Sequence, residues 1–315
     1  MRMANSGQMI NYANRPAKCV ERKIIAELLS KMPLPRTIDQ YRYIGFGSFY
    51  FADFILFHNR LGIEKMISIE NSGETERFEF NKPYKCISMC FYESQCALIR
   101  EIDFSKDILD FVWLDYDGQF SKSIVDDLIT TVQKVKIGSV CFCSFNPSVK
   151  LPDDNRYEFL LDEYGEYMPK LRENDIDPAA LPKIFYKIIE AAIEKSISTR
   201  NIVAEIKAKV SSFFFVKYRD GAPMVTIGFY IHDAESTLNI NDLPTLPGVT
   251  LGDEPIDLKI PCFTRSEIGL LNRMLPGSSS KEITQKYSYF KESDVESYIA
   301  LYKFYPNFSD TPFYT

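Results

Sequence analysis

Two glycines separated by one residue, and an acid 25 residues after the first of them, suggest the first chemical hypothesis. The run Gly45-Phe46-Gly47-Ser48 follows a strand-like segment and precedes an apolar segment with helical spacing. A glycine pair at such a turn lets the backbone approach a ligand closely. Glu70 ends the next strand-like segment, KMISIE, near the distance of about 20 residues that is typical of a ribose-binding acid. The spacing therefore predicts a nucleoside-containing cofactor bound by Gly45, Phe46, Gly47, Ser48 and Glu70.

More acids follow the other strand-like segments. Asp115 and Asp117 end the segment DFVWLDYD, where groups of a substrate or cofactor would lie. Either carboxylate could take a proton from a hydroxyl or an amine, so we expect both to be catalytic and Asp115 also to contact the cofactor. Tyr92, Glu93 and Ser94 follow the third predicted strand and are candidates for contact with adenine, and Glu93 is assigned to the cofactor site.

Three cations recur along the first predicted helix, RPAKCVERKIIAELLSKM. Arg15, Lys18 and Arg22 are spaced at i, i+3 and i+7, which places them on one face. They are candidates for binding a phosphate or carboxylate of a substrate. The alternative interpretation is a row of solvated cations with no ligand.

A repeated alternation of strand-like and helix-like segments surrounds these residues. Strand-like runs such as GSVCFCSF are continuously apolar, which is typical of a parallel sheet covered on both faces. The alternation predicts a doubly wound α/β fold. The later segment SSFFFVKYRDGAPMVTIGFYI predicts an antiparallel hairpin that turns at Arg219-Asp220-Gly221-Ala222.

NAD and S-adenosylmethionine both suit a glycine pair followed by a ribose-binding acid. The dinucleotide fingerprint needs a third glycine, and Tyr50 occupies that position. The predicted hairpin adds an antiparallel strand to the sheet. Together these features favour S-adenosylmethionine over NAD.

On these segments the chain resembles the class I S-adenosylmethionine-dependent methyltransferases, over residues 41–231. YIGFGS is similar to motif I, SIE to the acid after strand 2, DFVWLDYD to motif IV, and the hairpin to strands 6 and 7. The resemblance implies a Rossmann-like sheet of seven strands, in the order 3-2-1-4-5-7-6 with the last strand antiparallel. It also implies Gly45 and Gly47 near the methionine end of the cofactor, Glu70 on the ribose, and Asp115 near the methionine amino group or the substrate. The chain also resembles uncharacterised bacterial O-methyltransferases.

The chain departs from motif I of that family, which usually reads acid-x-Gly-x-Gly-x-Gly. Tyr43 stands at the acid position and Phe49 at the third glycine. We therefore predict a methyltransferase that acts on an oxygen or nitrogen of an unidentified small molecule, nucleotide or protein, and the alternative is a catalytically inactive binding or regulatory module. An open cleft lined by Gly45, Glu70 and Asp115 favours the enzyme, whereas Tyr43 and Phe49 filling that cleft favours the module.

Composition and net charge limit the kinds of partner and the cellular location that we expect for the protein. The 315 residues have a formal net charge of −6, which disfavours a nucleic-acid partner because such binders usually carry a basic surface. Seven cysteines without metal-ligand spacing predict reduced thiols, a cytoplasmic location and no metal site. No apolar run reaches the 18 residues of a membrane span.

Three regions are predicted along the chain. An N-terminal helical extension covers residues 1–36, and a methyltransferase-like domain covers residues 37–232 with an acidic insertion at residues 147–180. A C-terminal appendage covers residues 233–315.

Overall fold

One mixed sheet lies at the centre of the protein. The computed structural model describes residues 15–306, so the ends of the predicted extension and appendage, residues 1–14 and 307–315, lie outside the described part. The strands are β1 (Arg42–Gly45), β2 (Lys65–Ile69), β3 (Ile87–Cys90), β4 (Asp110–Gln119), β5 (Val140–Asn146), β6 (Ala208–Asp220), β7 (Ala222–Asp233) and β8 (Ile256–Asp257). Their order across the sheet is β3-β2-β1-β4-β5-β7-β6-β8.

The first five strands are parallel to one another, and their pairing positions the site. β1 lies between β2 and β4, with Gly45 opposite Ser68 on one side and Trp113 on the other. β3 extends the sheet beyond β2, and β5 extends it beyond β4. Because the carboxyl ends of parallel strands meet at one edge, the segments that follow β1, β2, β3 and β4 converge there.

Helices cover both faces of the sheet. They are α1 (Pro16–Lys31), α2 (Ala52–Leu61), α3 (Thr75–Asn81), α4 (Ser94–Cys96), α5 (Lys122–Lys134), α6 (Arg156–Tyr164), α7 (Leu181–Val203), α8 (Arg265–Met274), α9 (Ser280–Lys286) and α10 (Glu292–Leu301). A π-helical turn, Ala97–Glu101, continues α4. Within residues 15–306 no helix combines the length and apolarity needed to cross a membrane.

Two apolar cores form, one on each face. Residues of α1 and α2 pack with Tyr43, Phe111 and Trp113 in a core rich in aromatic side chains. Residues of α5 and α7 pack with Ile44, Val112 and the other alternate strand positions. Burial on both sides explains why the strand segments read as continuous apolar runs rather than as alternating ones.

The far edge of the sheet differs from the sequence prediction. β6 and β7 form the predicted antiparallel hairpin, and Gly221 occupies the turn with a φ of 95°. The α/β class is confirmed, but the count of seven strands is wrong because β8 pairs with Val216 and Lys217 of β6 as an eighth strand. A strand of two residues is too short to show a periodic pattern of apolar residues, so the sequence could not reveal this strand.

Residues outside the parallel strands contribute to the cores as well. In the predicted insertion, α6 places Leu160 and Tyr164 in the core shared with α5 and α7. α8, α9 and α10 surround a small separate core that includes Leu271, Val295 and Tyr298. The domain boundaries given above stay predictions.

Gly228 of β7 faces the aromatic core so closely that a methyl group does not fit. A Cβ atom there would lie 2.6 Å from the Phe142 ring and 2.9 Å from Phe214 Cβ. We expect Gly228→Ala to lower the free energy of unfolding by about 1–3 kcal/mol, as measured by urea denaturation, because overpacking displaces buried rings. The matched control is Gly73→Ala, where nothing lies within 4 Å of the added atom and stability should barely change. Equal stability of the two variants would contradict this packing.

Candidate active site

A cavity of about 430 Å³ opens where β1, β2, β3 and β4 end. Its volume lies within the range of about 300–1,000 Å³ that is usual for small-molecule sites. Most of the residues predicted for the site line it, namely Arg22, Phe46, Gly47, Ser48, Glu70, Glu93, Asp115 and Asp117. Gly45, Lys18 and Arg15 are not among the lining residues.

Glu70 joins the end of β2 to the loop after β1. Its Oε1 atom accepts hydrogen bonds from the backbone N–H of Gly47 (2.7 Å), the N–H of Ser48 (2.9 Å) and the hydroxyl of Ser68 (3.1 Å). Burial raises the pKa of the Glu70 carboxyl to about 7, although these three donors oppose the shift. Oε2 has no hydrogen-bond partner among residues 15–306 and belongs to a side chain of the cavity wall, so it is available to a ligand.

The glycine loop is tightly built around Gly47. A Cβ atom at Gly47 would lie 2.6 Å from the Phe51 ring and 2.7 Å from Ser68 Oγ, so no larger residue fits. Ser48 and Phe51 adopt left-handed backbone conformations, with φ values of 47° and 46°. Left-handed non-glycine residues cost free energy and cluster at ligand sites. The contacts around the loop therefore hold its backbone in a conformation that is energetically unfavourable on its own.

Gly45 makes room for a neighbouring side chain. A Cβ atom at Gly45 would overlap the Tyr43 hydroxyl, which donates a hydrogen bond to Asp53. Gly45 therefore leaves room for this buried pair, and its predicted contact with a cofactor stays a prediction. Burial raises the pKa of Asp53, and Arg22 opposes that shift. Asp53 lines the cavity.

Lys18 is an internal cation and not part of a solvated row. Its ammonium is 1 % exposed and lies 2.6 Å from Asp115 Oδ1 and 2.8 Å from Glu21 Oε2. It also donates to the Tyr218 hydroxyl at 3.1 Å and lies 4.3 Å from the centre of the Trp113 ring. These partners surround the cation, and Lys18 does not line the cavity, so its predicted contact with a substrate anion stays a prediction.

The other predicted residues are spread around the cavity. Arg22 is 7 % exposed and reaches the wall from α1, whereas Arg15 lies half-buried at the residue before that helix. Glu93 and Asp117 are exposed at the rim. Of the three predicted cations, only Arg22 therefore lies in the cavity wall.

Two buried acids of this cavity, Asp53 and Asp127, were missed by the sequence analysis. Asp127, on α5, is 1 % exposed and accepts hydrogen bonds from the hydroxyls of Tyr116 (2.5 Å) and Ser94. Burial raises the pKa of its carboxyl. Both acids lie on helices, where one acid among many polar residues gives no positional signal.

The cavity can bind a ligand that has several hydrogen-bond donors and a flat ring. Its wall contains the carboxylates of Glu70, Asp115 and Asp127, together with the aromatic rings of Phe46 and Tyr116, whose centres lie 5.2 Å apart. Carboxylates accept hydrogen bonds from hydroxyls and amines. Within the described residues, no three His, Cys, Asp or Glu side chains are grouped so that they could hold a metal ion.

A family model matches almost the whole chain. The model of a family described as "Putative O-methyltransferase" matches residues 10–313. No curated protein matches the chain.

Several solved structures are similar in part. Trm1 from Pyrococcus horikoshii, in complex with S-adenosyl-L-methionine, is 10% identical, with 91% of this chain and 76% of that chain covered and a TM-score of 0.46. The O-methyltransferase TomG from Streptomyces achromogenes, in complex with SAM, is 10% identical, with 67% and 80% covered and a TM-score of 0.37. At such identities and TM-scores, these likenesses say nothing about what this chain binds.

A substitution at Tyr43 tests whether the buried Tyr43–Asp53 hydrogen bond stabilises the protein. Tyr43→Phe leaves the Asp53 carboxyl buried without its hydroxyl donor, so we expect the free energy of unfolding to fall by about 1–3 kcal/mol. Urea denaturation at pH 7 measures it. Tyr84→Phe is the matched control, because it removes only a hydrogen bond to Asn59 that lies at the exposed surface. A Tyr43→Phe protein as stable as the Tyr84→Phe protein would contradict the pairing.

Proposed function

The chain belongs to the O-methyltransferase family whose model spans residues 10–313, and we propose that it transfers a methyl group from S-adenosylmethionine to an oxygen of an acceptor. One observation carries the proposal. Glu70, at the end of β2, holds the glycine loop with one carboxylate oxygen and presents the other to the cavity. A carboxylate in this place suits the two hydroxyls of a ribose.

The residues present fit the rest of the cofactor as well. The Asp115 carboxylate uses Oδ1 for Lys18 and leaves Oδ2 for the ammonium of a methionine group. Phe46 and Tyr116 offer apolar ring surface to a flat adenine. Gly47 lines the cavity, and its close packing against Phe51 and Ser68 fixes the loop there. Residues of the cavity are thus assigned to the ribose, the ammonium and the ring face of the adenine.

The chain's own contribution to the reaction is mainly alignment. When bound, S-adenosylmethionine supplies the methyl group as an electrophile on a positively charged sulfur. Lys18 is buried behind Asp115 and does not line the cavity, so the ion pair fixes the position of Asp115 without blocking the cavity. Holding two reactants in the right geometry converts a bimolecular step into an effectively unimolecular one and so lowers the barrier.

Asp117 is the residue we assign to proton removal. It lies two residues beyond Asp115, exposed at the cavity rim, where an acceptor hydroxyl would enter. Asp115 is less suited to this role because one of its oxygens is committed to Lys18. A carboxylate within hydrogen-bonding reach of the hydroxyl can accept its proton as the new bond forms.

The structure bears on the alternative of an inactive binding module. That alternative expects Tyr43 and Phe49 to fill the cleft. Instead, the Tyr43 ring packs among Phe54, Phe57 and Phe111, and the Phe49 ring stacks on Phe78 with centres 4.4 Å apart. Neither side chain lines the cavity, which favours the enzyme.

The acceptor is a small molecule, a nucleotide or a protein in this proposal. The net charge of −6 supports a partner other than nucleic acid, since nucleic-acid binders use basic surfaces. All seven cysteines are free thiols, which supports our assignment of a cytoplasmic protein.

Titration calorimetry with S-adenosylmethionine and S-adenosylhomocysteine tests the proposal. We expect micromolar binding of both by the wild type and no binding of NAD. Glu70→Gln should weaken both affinities by about 10- to 100-fold, because the amide oxygen can still hold the loop while the amide nitrogen cannot accept from ribose.

The matched control is Glu76→Gln, an exposed acid of α3 outside the cavity, which should bind like the wild type. Failure of the wild type to bind either compound would overturn the proposed function. Equal affinities of the Glu70→Gln and Glu76→Gln proteins would remove Glu70 from the site.

A further inference from the structure

The first turn of α1 cannot cap its own N-terminus. Pro16, the first residue of the helix, has no N–H group, and the guanidinium of Arg15 before it can only donate hydrogen bonds. The first turn, residues 16–19, contains no acidic side chain. The N–H groups of Ala17 and Lys18 have no acceptor within the helix, so they must be satisfied from elsewhere in the chain.

Asp220, at the turn between β6 and β7, supplies both acceptors. Its Oδ1 atom accepts a hydrogen bond from the N–H of Ala17 at 3.0 Å, and its Oδ2 atom accepts one from the N–H of Lys18 at 2.8 Å. A carboxylate there also suits the partial positive charge of a helix N-terminus. The hairpin therefore caps a helix from the opposite end of the sequence.

The end of β6 also holds the side chain of Lys18. Tyr218 lies two residues before Asp220, so both side chains point to the same face of the strand and meet α1. The buried Tyr218 hydroxyl accepts a hydrogen bond from Lys18 Nζ at 3.1 Å. β6 thus fixes the backbone of Lys18 through Asp220 and its ammonium through Tyr218.

This arrangement links Asp220 to the cavity wall. Lys18 is the third residue of α1, and the first turn of a helix is the part that frays when its cap is lost. The Lys18 ammonium lies 2.6 Å from Asp115 Oδ1, and Asp115 lines the cavity. Fraying of the first turn would therefore withdraw the cation that holds the Asp115 carboxylate in place.

We propose that Asp220 is a positioning residue for the cofactor, because its cap on α1 keeps Lys18 paired with Asp115 and so holds Asp115 where it receives the cofactor's ammonium. This inference rests on the proposed function. Asp220 does not line the cavity, so it acts through Lys18 and Asp115. Glu70 and Phe46 follow β2 and β1 and do not belong to α1. Only the amino-acid part of the cofactor should therefore depend on Asp220.

The test compares S-adenosylhomocysteine with 5′-methylthioadenosine, which has the same nucleoside and a thioether but no amino-acid group. Calorimetric titration of the wild type should show S-adenosylhomocysteine binding about 10- to 100-fold more tightly, the range expected for a hydrogen bond between charged groups. Asp220→Ala should reduce this ratio about 3- to 30-fold, the factor that corresponds to loss of an N-terminal cap. Its affinity for 5′-methylthioadenosine should match that of the wild type.

The ratio separates positioning from a general loss of stability, because a partly unfolded protein binds both compounds less well by the same factor. Asp220→Asn is a milder variant, since the amide keeps one of the two acceptor oxygens, and it should give an intermediate ratio. In an Asp115→Asn background, Asp220→Ala should change the ratio no further, because the two residues act through one contact.

Glu173→Ala is the matched control. Glu173 also caps a helix from outside it, because its carboxylate accepts the N–H of Arg156 at 2.6 Å and the N–H of Tyr157 at 3.0 Å. These residues begin α6, which does not line the cavity, so Glu173→Ala should keep the wild-type ratio.

The possible failures are distinguishable. An unchanged ratio in Asp220→Ala would overturn the inference, and if that variant does not fold, an unchanged ratio in Asp220→Asn would do so. A wild type that binds both compounds equally would overturn it as well, because Asp115 would then not hold the ammonium. If the wild type binds neither compound, the proposed function itself fails.

Discussion

The site depends on a single carboxylate oxygen that holds the loop after β1. Glu70 Oε1 accepts the N–H groups of Gly47 and Ser48 and the hydroxyl of Ser68. The parallel register brings these groups together, because Gly45 at the end of β1 lies opposite Ser68 on β2. With one oxygen committed to the loop, the other faces the cavity. The Glu70 side chain therefore fixes the conformation of the loop and also contributes a carboxylate to the cavity wall.

Two buried polar pairs beside the cavity join helices to the parallel strands. Lys18 comes from α1, ahead of the first strand, and pairs with Asp115 at the end of β4. Asp53 comes from α2 and receives the hydroxyl of Tyr43 from β1. Removing one partner of such a pair leaves a buried polar group or charge unpaired, which is costly, so each pair links a helix to the sheet. The first helix is thus part of the site's foundation, although sequence analysis assigns it to an extension.

Sequence pattern predicted the features that depend on local spacing. The α/β class and the methyltransferase assignment are confirmed, and the residue types at Glu70 and Asp115 pointed to the cavity because the ends of parallel strands must meet at one edge. Helical periodicity placed Lys18 on one face of the first helix, but it could not show that the sheet covers this face. Asp127 escaped notice because its importance comes from two hydroxyl donors on other elements, which only the folded chain brings together. The sequence also could not show that Gly45 and Gly47 each make room for neighbouring side chains, because those contacts form only in the folded chain.

The most direct test of the account is the number of protons released when S-adenosylhomocysteine binds. Burial raises the pKa of the free Glu70 carboxyl to about 7, so the proton is partly bound near neutral pH. Ribose hydroxyls that donate to this carboxylate favour its ionised form, so binding lowers its pKa and releases protons. Calorimetry at pH 6.5 in buffers of different ionisation heat should show more protons released by the wild type than by Glu70→Gln, and a much smaller difference at pH 8.5. Equal proton release by the two proteins at pH 6.5 would contradict the central role of Glu70.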